Sequence, residues 1–285
     1  MAWFFLIIIS ITFISFARLL QKRMLQNFSI DSVGYATLLQ YIVTIIIFFY
    51  SLIGGTKFYE FVNFIPNIIL MVILYGLGSA ILFYAFKYEE VSIITVVFAS
   101  SMIFATLSSV LFLGENLSMQ RIIGIIIILI GVVIVNLNQK SQFVFTKWAF
   151  YALIASVLYG FAFTNDAYIL SNNRDIPTYL TMSYLFPAVF LTLIFPKKVI
   201  SVAKKFTKKD YIELFVIAFL VGISTLSSYK ALQLSNSVSL ISALSQLSII
   251  LTVILSVIFL REKENKNHKV VGSICAIIGA ILVVM

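Results

Sequence analysis

The chain contains the same sequence pattern twice, once in its middle and once at its end. Each copy has a Phe-Leu-x-Glu motif, a basic residue further along and two glycines seven positions apart. The copies are 147 residues apart at the glutamates and 148 at the glycines, a difference of one loop residue. The matched pairs are Glu115 and Glu262, Arg121 and Lys269, Gly124 and Gly272, and Gly131 and Gly279. This repeat predicts two related units, residues 1–140 and residues 141–285.

The composition of the chain is that of a membrane protein. Hydrophobic residues make up 61% of the sequence and charged residues 11%, against about 25% charged residues in a soluble domain. Apolar runs of about 20 residues, long enough to span a bilayer, recur from end to end. Residues 2–21 lack a basic start and a small-residue cleavage site, so they are predicted to form a first span and not a cleaved signal.

Ten spans are predicted, at residues 2–21, 33–53, 66–86, 91–113, 121–137, 148–170, 177–195, 211–233, 238–260 and 270–285. Backbone groups in lipid must be satisfied within their own segment, so each span is expected to be a helix. The predicted fold class is an all-α integral membrane protein with ten transmembrane helices in two five-helix repeats. Because five is odd, the second unit begins on the opposite membrane face. Such inverted repeats are common in secondary transporters.

Basic residues are distributed unevenly between the two faces of this topology. Loops that follow odd-numbered spans hold 16 of the 20 Lys and Arg residues, and the opposite loops hold 4. The positive-inside rule then predicts that the odd loops are cytoplasmic and that both termini lie outside. The net charge of +9 is attributed to this topology and to anionic lipid, and no nucleic-acid partner is expected.

The repeated segments resemble one half of an EamA-type transporter of the drug/metabolite transporter superfamily. The resemblance rests on residues 84–87 and 230–233, on the Phe-Leu-x-Glu ends of spans four and nine, and on the paired glycines of spans five and ten. It implies a ten-helix carrier in which spans one to four and six to nine line a central path. It also implies cytoplasmic termini, in conflict with the charge distribution.

Asp166 is the strongest candidate for chemistry, because a carboxylate within an apolar span normally faces a cavity or a partner. It follows Asn165 in the sixth predicted span. Lys230, near the end of the eighth span, is expected at a similar depth, so an ion pair with Asp166 is possible. In the alternative interpretation both groups lie at span ends and meet water. If transport is coupled to protons, Asp166 is the expected proton carrier.

Polar side chains in neighbouring spans are further candidates for substrate binding. Tyr229 belongs to a polar face of the eighth span, while Ser242 and Gln246 share one face of the ninth because they are four residues apart. Ser100 and Ser101 lie at the corresponding level of the fourth span. Buried hydroxyls also hold helices together, at about 1 kcal/mol each, and for any single serine that interpretation is favoured.

The repeated motif itself is interpreted as structural. Each of its glutamates, Glu115 and Glu262, closes a span and precedes a base, Arg121 or Lys269, and such a pair would pin a tight loop. The glycines of each copy lie two turns apart on one helix face, where small residues let helices approach closely. A bracing contact or a dimer contact explains them without a ligand.

The remaining sequence chemistry argues against an enzyme. The chain has one cysteine, Cys275, and one histidine, His268, with no glycine-rich phosphate loop and no zinc-ligand spacing. No cofactor and no metal site are therefore expected.

The expected function is secondary active transport of a small polar or amphipathic metabolite, such as an amino acid, across the cell membrane, with export favoured. A proton or another ion is the expected coupling partner. The alternatives are a flippase for an amphipathic or lipid-linked substrate, a facilitative exchanger and a passive channel. Both a monomer and a homodimer remain open.

The lysine-rich segment 197–209 is predicted to face the cytoplasm, because its six lysines resist translocation and are attracted to the anionic inner leaflet. A cysteine placed at Ser201 in a Cys275→Ala background should stay unlabelled when intact cells meet an impermeant maleimide. Labelling of intact cells would place the segment outside and would favour the topology that the resemblance implies.

Overall fold

The computed structural model describes residues 2–27, 30–114, 118–137, 144–173, 175–235, 244–245, 247–261 and 265–284. Nearly all of these residues are helical, and this part of the chain contains no β-strand. The α-helices are α1 (Ala2–Asn27), α2 (Ser32–Gly54), α3 (Ile65–Tyr88), α4 (Val91–Phe98), α5 (Ser101–Leu113), α6 (Met119–Val135), α7 (Lys147–Asn172), α8 (Ile176–Ile194), α9 (Pro196–Lys205), α10 (Lys208–Ser235), α11 (Leu247–Phe259) and α12 (Lys266–Val284). A 3-10 helix, Phe58–Phe64, precedes α3.

Seven helical segments are long and apolar enough to cross a bilayer, and two shorter apolar helices, Ile122–Val135 and Leu247–Phe259, accompany them in the described residues. The prediction of an all-helical, multi-span membrane protein is therefore confirmed. Of the ninth predicted span, 238–260, the structure describes residues 244–245 and 247–260, which are helical up to Phe259. The count of ten spans stays a prediction.

Capping side chains define where several helices begin. Asp31 accepts hydrogen bonds from the first turn of α2, Thr146 from the first turn of α7 and Asp175 from the first turn of α8. Each cap satisfies a backbone N–H that has no carbonyl partner within its helix. The polar residues between apolar runs thus set the helix boundaries as well as interrupting the hydrophobic pattern.

The fourth predicted span is a pair of helices, α4 and α5, that meet at Ala99 and Ser100. The Ser100 N–H donates to the carbonyl of Val97, and the Ser100 hydroxyl donates to the same carbonyl at 2.6 Å. Bonds of this i to i−3 type tighten a helix locally, and a serine hydroxyl competes with the regular backbone pattern. The predicted span at residues 91–113 is confirmed as one candidate membrane span, and the short break within it was not predicted.

The lysine-rich segment that was predicted to be a loop contains helix α9. Val199 and Val202 are its buried residues, three positions apart and on one face, whereas its four lysines are exposed. The buried face packs on α2 at Gly34, where an added Cβ would lie 2.6 Å from Val202. Two apolar residues one turn apart are enough to give a short amphipathic helix in a strongly charged sequence.

The helices that carry the repeated glycines, α6 and α12, pack against each other. A Cβ added at Gly131 would lie 2.7 Å from the carbonyl oxygen of Gly272, and one added at Gly279 would lie 2.6 Å from that of Gly124. Residue numbers rise along one helix as they fall along the other, so the two helices are antiparallel. The glycines therefore serve a close contact within the chain.

A second antiparallel pair is formed by α2 and α8. Near one end the backbone N–H of Lys57 donates to Thr178, and further along the hydroxyls of Tyr41 and Thr192 lie 2.9 Å apart. Several other contacts occur in exchanged pairs: α1 packs on α10 as α7 packs on α3, and α2 packs on α10 as α8 packs on α3. This is the contact pattern expected of two similar units that face each other in opposite directions.

Gly131→Ala should lower the stability of the protein, because its Cβ would meet backbone atoms of α12 that cannot move aside individually. Overpacking of this kind costs ~1–3 kcal/mol, which thermal unfolding in detergent would detect. Gly222→Ala is the control, since its nearest neighbour is a side-chain carbon of Ile46 at 3.3 Å. Identical melting temperatures for Gly131→Ala and the wild type would contradict the close packing of α6 on α12.

Candidate functional site

Asp166 lies in α7 with a side chain that is only 5% exposed. Tyr75 of α3 donates a hydrogen bond to its Oδ2 at 2.5 Å, and Tyr179 of α8 donates to its Oδ1. Tyr229 of α10 is hydrogen-bonded to the same carboxylate. Three tyrosine hydroxyls from three helices thus converge on one acidic group.

The environment of Asp166 compensates a negative charge with hydroxyl dipoles. A charged group taken out of water is costly unless it is paired or hydrogen-bonded, and hydrogen bonds to an ionised group are the strong ones. Within the described part of the chain, none of the ion pairs of 4 Å or less involves Asp166. The carboxylate therefore retains the capacity to attract a cation or a proton.

A cavity of about 210 Å³, the inner cavity, lies beside this carboxylate. Five aromatic rings line it, those of Tyr75, Tyr159, Phe163, Tyr184 and Tyr229, together with the polar side chains of Gln40, Asp166 and Thr225. Helices α2 and α3 contribute from the first half of the chain, and α7, α8 and α10 contribute from the second. The site is therefore assembled from both halves.

Gln40 contributes a second hydrogen-bond acceptor to this cavity. Its side-chain amide donates to the Ser79 hydroxyl at 2.8 Å, and that hydroxyl donates in turn to the Gly76 carbonyl. Because Ser79 has used its only side-chain proton, its oxygen must accept from Gln40, which fixes the orientation of the amide. The Oε1 atom of Gln40 is left buried, without a hydrogen-bond partner among the described residues.

A wider cavity of about 520 Å³, the outer cavity, lies at the ends of the same helices. Its lining includes Lys57, Glu60, Asp175 and Lys230, so it is rich in charges where the inner cavity is aromatic. Lys57 and Glu60 form an ion pair at 3.3 Å, and the hydrogen bond with Glu60 raises the pKa of Lys57. Lys230 directly follows Tyr229 in α10, which lines the inner cavity.

The possible ion pair between Asp166 and Lys230 is not formed in this structure. The side-chain partners of Asp166 are the three tyrosine hydroxyls, whereas Lys230 lines the outer cavity. Helical spacing explains the difference. The neighbouring residues Tyr229 and Lys230 point about 100° apart around α10, since a helix has ~3.6 residues per turn.

The opposite ends of these helices are held together by buried charges. The Lys22 ammonium, 2% exposed, donates to the carbonyl oxygens of Phe86 at 2.7 Å and of Glu89 at the end of α3. Thr146 donates to the Glu89 carboxylate, and Lys269 pairs with Glu90 at 2.5 Å. These contacts tie α1, α3, α7 and α12 together at the face opposite the outer cavity.

Asn165 has a different role from its neighbour Asp166. Its side chain accepts a hydrogen bond from Asn67 at 2.8 Å and donates one to the backbone carbonyl of Asn67 at 3.0 Å. These two bonds join α7 to the first turns of α3. Asn165 therefore forms a contact between α7 and α3 and is not among the described residues that line the inner cavity.

Ser100 and Ser101, which were also predicted to bind substrate, are not among the described residues that line the inner cavity. Ser100 and Ser101 are buried at the junction of α4 and α5, where the Ser100 hydroxyl is used within the helix. Ser242, Gln246, Glu115, Glu262 and the side chain of Arg121 lie outside the described residues. Lys269, which was predicted to pair with Glu262, has Glu90 as a partner.

Sequence reasoning missed Tyr179, which donates to Asp166, and several lining residues, among them Gln40, Tyr75, Tyr159, Phe163 and Tyr184. Each is a single polar or aromatic residue within an apolar run, and no local motif distinguishes it from other tyrosines or glutamines in the spans. The available signal was depth, because Tyr75 and Asp166 lie in α3 and α7, which pack side by side. Only a helix packing order, which the sequence does not contain directly, brings them together.

Fold and site together define a multi-pass α-helical membrane protein with a cavity among its helices. A family model for the EamA-like transporter family matches residues 1–137 and 146–285. The chain therefore belongs to the EamA-like transporter family, whose members are transporters and not enzymes. The resemblance noted in the sequence is confirmed.

Comparison with solved structures agrees with this fold. A structure described as "Crystal structure of protein" has a TM-score of 0.66 and 13% sequence identity, covering 99% of this chain and 95% of that chain. At this identity the likeness shows the fold alone. A search among curated proteins found no match.

Glu90→Gln should lower the stability of the protein, because it removes the carboxylate charge that pairs with the Lys269 ammonium, whose side chain is 1% exposed. We expect a loss of about 2 kcal/mol, less than the ~3–5 kcal/mol of a fully buried pair, since the Glu90 side chain is 29% exposed. Thermal unfolding of Glu90→Gln and of the double variant Glu90→Gln/Lys269→Met would test this. The double variant should be the more stable of the two, and the reverse order would contradict a stabilising pair.

Proposed function

We propose that this protein is a secondary active transporter that carries a small polar or amphipathic metabolite across the cell membrane by alternating access. The observation that carries the proposal is the inner cavity, in which a buried carboxylate and five aromatic rings are supplied by helices from both halves of the chain. A site between two mobile halves can be exposed first to one face and then to the other.

The packing of the helices supports an inverted arrangement of two five-helix repeats. The paired helices α6 and α12, and likewise α2 and α8, are antiparallel, as they must be if two like units have opposite orientations in the membrane. Two such units can exchange conformations, so that an outward-open and an inward-open state differ little in energy. This is the physical basis that we propose for transport.

The two ends of the site differ in a way that fits one of these states. On one side the outer cavity leads toward the residues next to Tyr229. On the other side two contacts hold the helix ends together. Lys22 of α1 donates to backbone carbonyls at the end of α3, and Lys269 of α12 pairs with Glu90. We interpret the first side as the route of access and the second as a closed gate, whose charged contacts would break in the alternate state.

Asp166 is the residue that we propose for energy coupling. The sequence has no nucleotide-binding motif, so an ion or substrate gradient is the expected source of energy. A carboxylate that is buried and held by three hydroxyls can gain or lose a proton, and each change would alter the hydrogen bonds that join α7 to α3, α8 and α10. Protonation is thereby connected to the helices that form the cavity.

Asp166→Asn should abolish coupled transport and leave the folded protein intact. The amide keeps the shape of the carboxylate and removes its charge and its capacity to titrate. The measurement is pH-driven uptake into proteoliposomes, with counterflow of the same solute as a second readout. Unchanged uptake with unchanged pH dependence would refute the coupling role.

The matched control is Asn165→Ala, one residue away on the same helix. Asn165 bonds to Asn67 and not to the cavity, so its loss should cost stability, at roughly 1 kcal/mol per interhelical contact. Transport per folded molecule should remain close to the wild-type value. A variant pair in which Asn165→Ala abolishes transport and Asp166→Asn does not would reverse the assignment.

A further inference from the structure

The inner cavity offers hydrogen-bond acceptors and no positive charge. Asp166 presents a carboxylate that is 5% exposed, and Gln40, 8% exposed, presents its unpartnered Oε1 atom. None of the described lining residues is Lys, Arg or His. A ligand of this cavity therefore needs a donor for these acceptors and gains from a positive charge.

Gln40 is the more selective of the two acceptors. The Asp166 carboxylate can be satisfied by a proton alone. The Oε1 atom of Gln40 needs a hydrogen-bond donor other than Gln40 itself and Ser79. Its orientation is set by Ser79, whose proton is used on Gly76, so rotation of the amide cannot satisfy Oε1. A buried acceptor without a partner is rare in proteins, and an N–H group of a ligand would remove the defect.

Aromatic rings form the rest of the wall. The rings of Tyr75 and Tyr159 meet edge to face at 5.2 Å, and Phe163 lies next to Tyr159 at 6.1 Å. The faces of such rings attract cations, more strongly in a site shielded from water. The same rings provide apolar surface for the body of an amphipathic ligand.

The cavity volume suits a small molecule. At about 210 Å³ it is near the lower end of ligand pockets, which are ~300–1,000 Å³. A compound with one ring and a short amine chain is of suitable size.

We infer that the inner cavity binds a small organic cation, in which an ammonium N–H group meets Asp166 and Gln40 and an apolar body packs against the tyrosine rings. This inference rests on the proposed function, in which the same cavity is the substrate site. It narrows the expected class of substrate, because a free amino acid would place its own carboxylate in a cavity that has no base in its described lining.

The test uses a series of ligands of similar shape and different charge, titrated calorimetrically into the purified full-length protein. The probes are phenethylamine, the uncharged 2-phenylethanol, the anion phenylacetate and the zwitterion phenylalanine. Phenethylamine should bind at least about tenfold more tightly than 2-phenylethanol, because its ammonium forms an ion pair with the buried carboxylate whereas the hydroxyl provides only a hydrogen bond from a neutral donor. Phenylacetate and phenylalanine should bind more weakly than phenethylamine.

Two variants locate the interaction within the cavity. Asp166→Asn should remove the preference for phenethylamine over 2-phenylethanol, and Gln40→Met should weaken phenethylamine binding several-fold. Asn165→Ala is the control and should preserve the preference. If Asp166→Asn fails to fold, the ligand series on the wild type and Gln40→Met still decide the question.

The inference is overturned if phenethylamine fails to bind, binds no better than 2-phenylethanol, or keeps its preference in Asp166→Asn. Tighter binding of phenylacetate or phenylalanine would overturn it as well. Counterflow in proteoliposomes separates this failure from failure of the proposed function. Counterflow of phenylalanine with no response to phenethylamine would refute the organic-cation inference and leave the proposed transport function standing. Selective binding of phenethylamine without its counterflow would support the cation site and contradict transport of that amine.

Discussion

A carboxylate buried within a membrane span is the constraint on which the site depends. Asp166 has no basic partner within 4 Å among the described residues, so its charge is stabilised by the hydroxyls of Tyr75, Tyr179 and Tyr229. Each hydroxyl belongs to a different helix. Loss of one of these contacts would leave part of the desolvation free energy of the buried charge uncompensated. The acid therefore does more than mark a ligand site. It makes the positions of α3, α8 and α10 relative to α7 depend on whether a proton or a ligand is bound to the Asp166 carboxylate.

Close packing elsewhere allows these helices to be held without a large polar core. The contact of α6 with α12 brings backbone to backbone at glycine, so it gains dispersion energy over a long antiparallel interface. Charged contacts are placed at helix ends, where Lys22 and Lys269 bind the connection between α3 and α4. The closely packed pair α6 and α12 thus lies beside helices joined by polar contacts, a division that fits the carrier proposed above.

Much of the architecture could be predicted from the sequence, and the cavity only in part. Hydrophobic runs and polar interruptions located the helices, and the doubled glycine motif predicted a close helix contact. The break at Ala99 and Ser100 was missed because a serine in an apolar run gives no sign that its hydroxyl will be used within the helix. Asp166 and Tyr229 were found because a charge in lipid and a polar face are unusual. Gln40, Tyr75 and Tyr179 were missed because their significance lies in contacts between helices distant in sequence.

The two repeats do not contribute equally to the site. The residues 146 and 147 positions before Asp166 are both leucines, Leu20 and Leu19, so the first repeat has no corresponding acid at these offsets. Glu89 and Glu90 correspond at the same offsets to residues 235–237, Ser-Asn-Ser. The pair of Glu90 with Lys269 therefore has no repeat-related counterpart at these positions. In the alternating-access mechanism proposed above, this asymmetry would add a modest energy difference between the two states, and a bound ligand could offset it only by binding one state more tightly than the other.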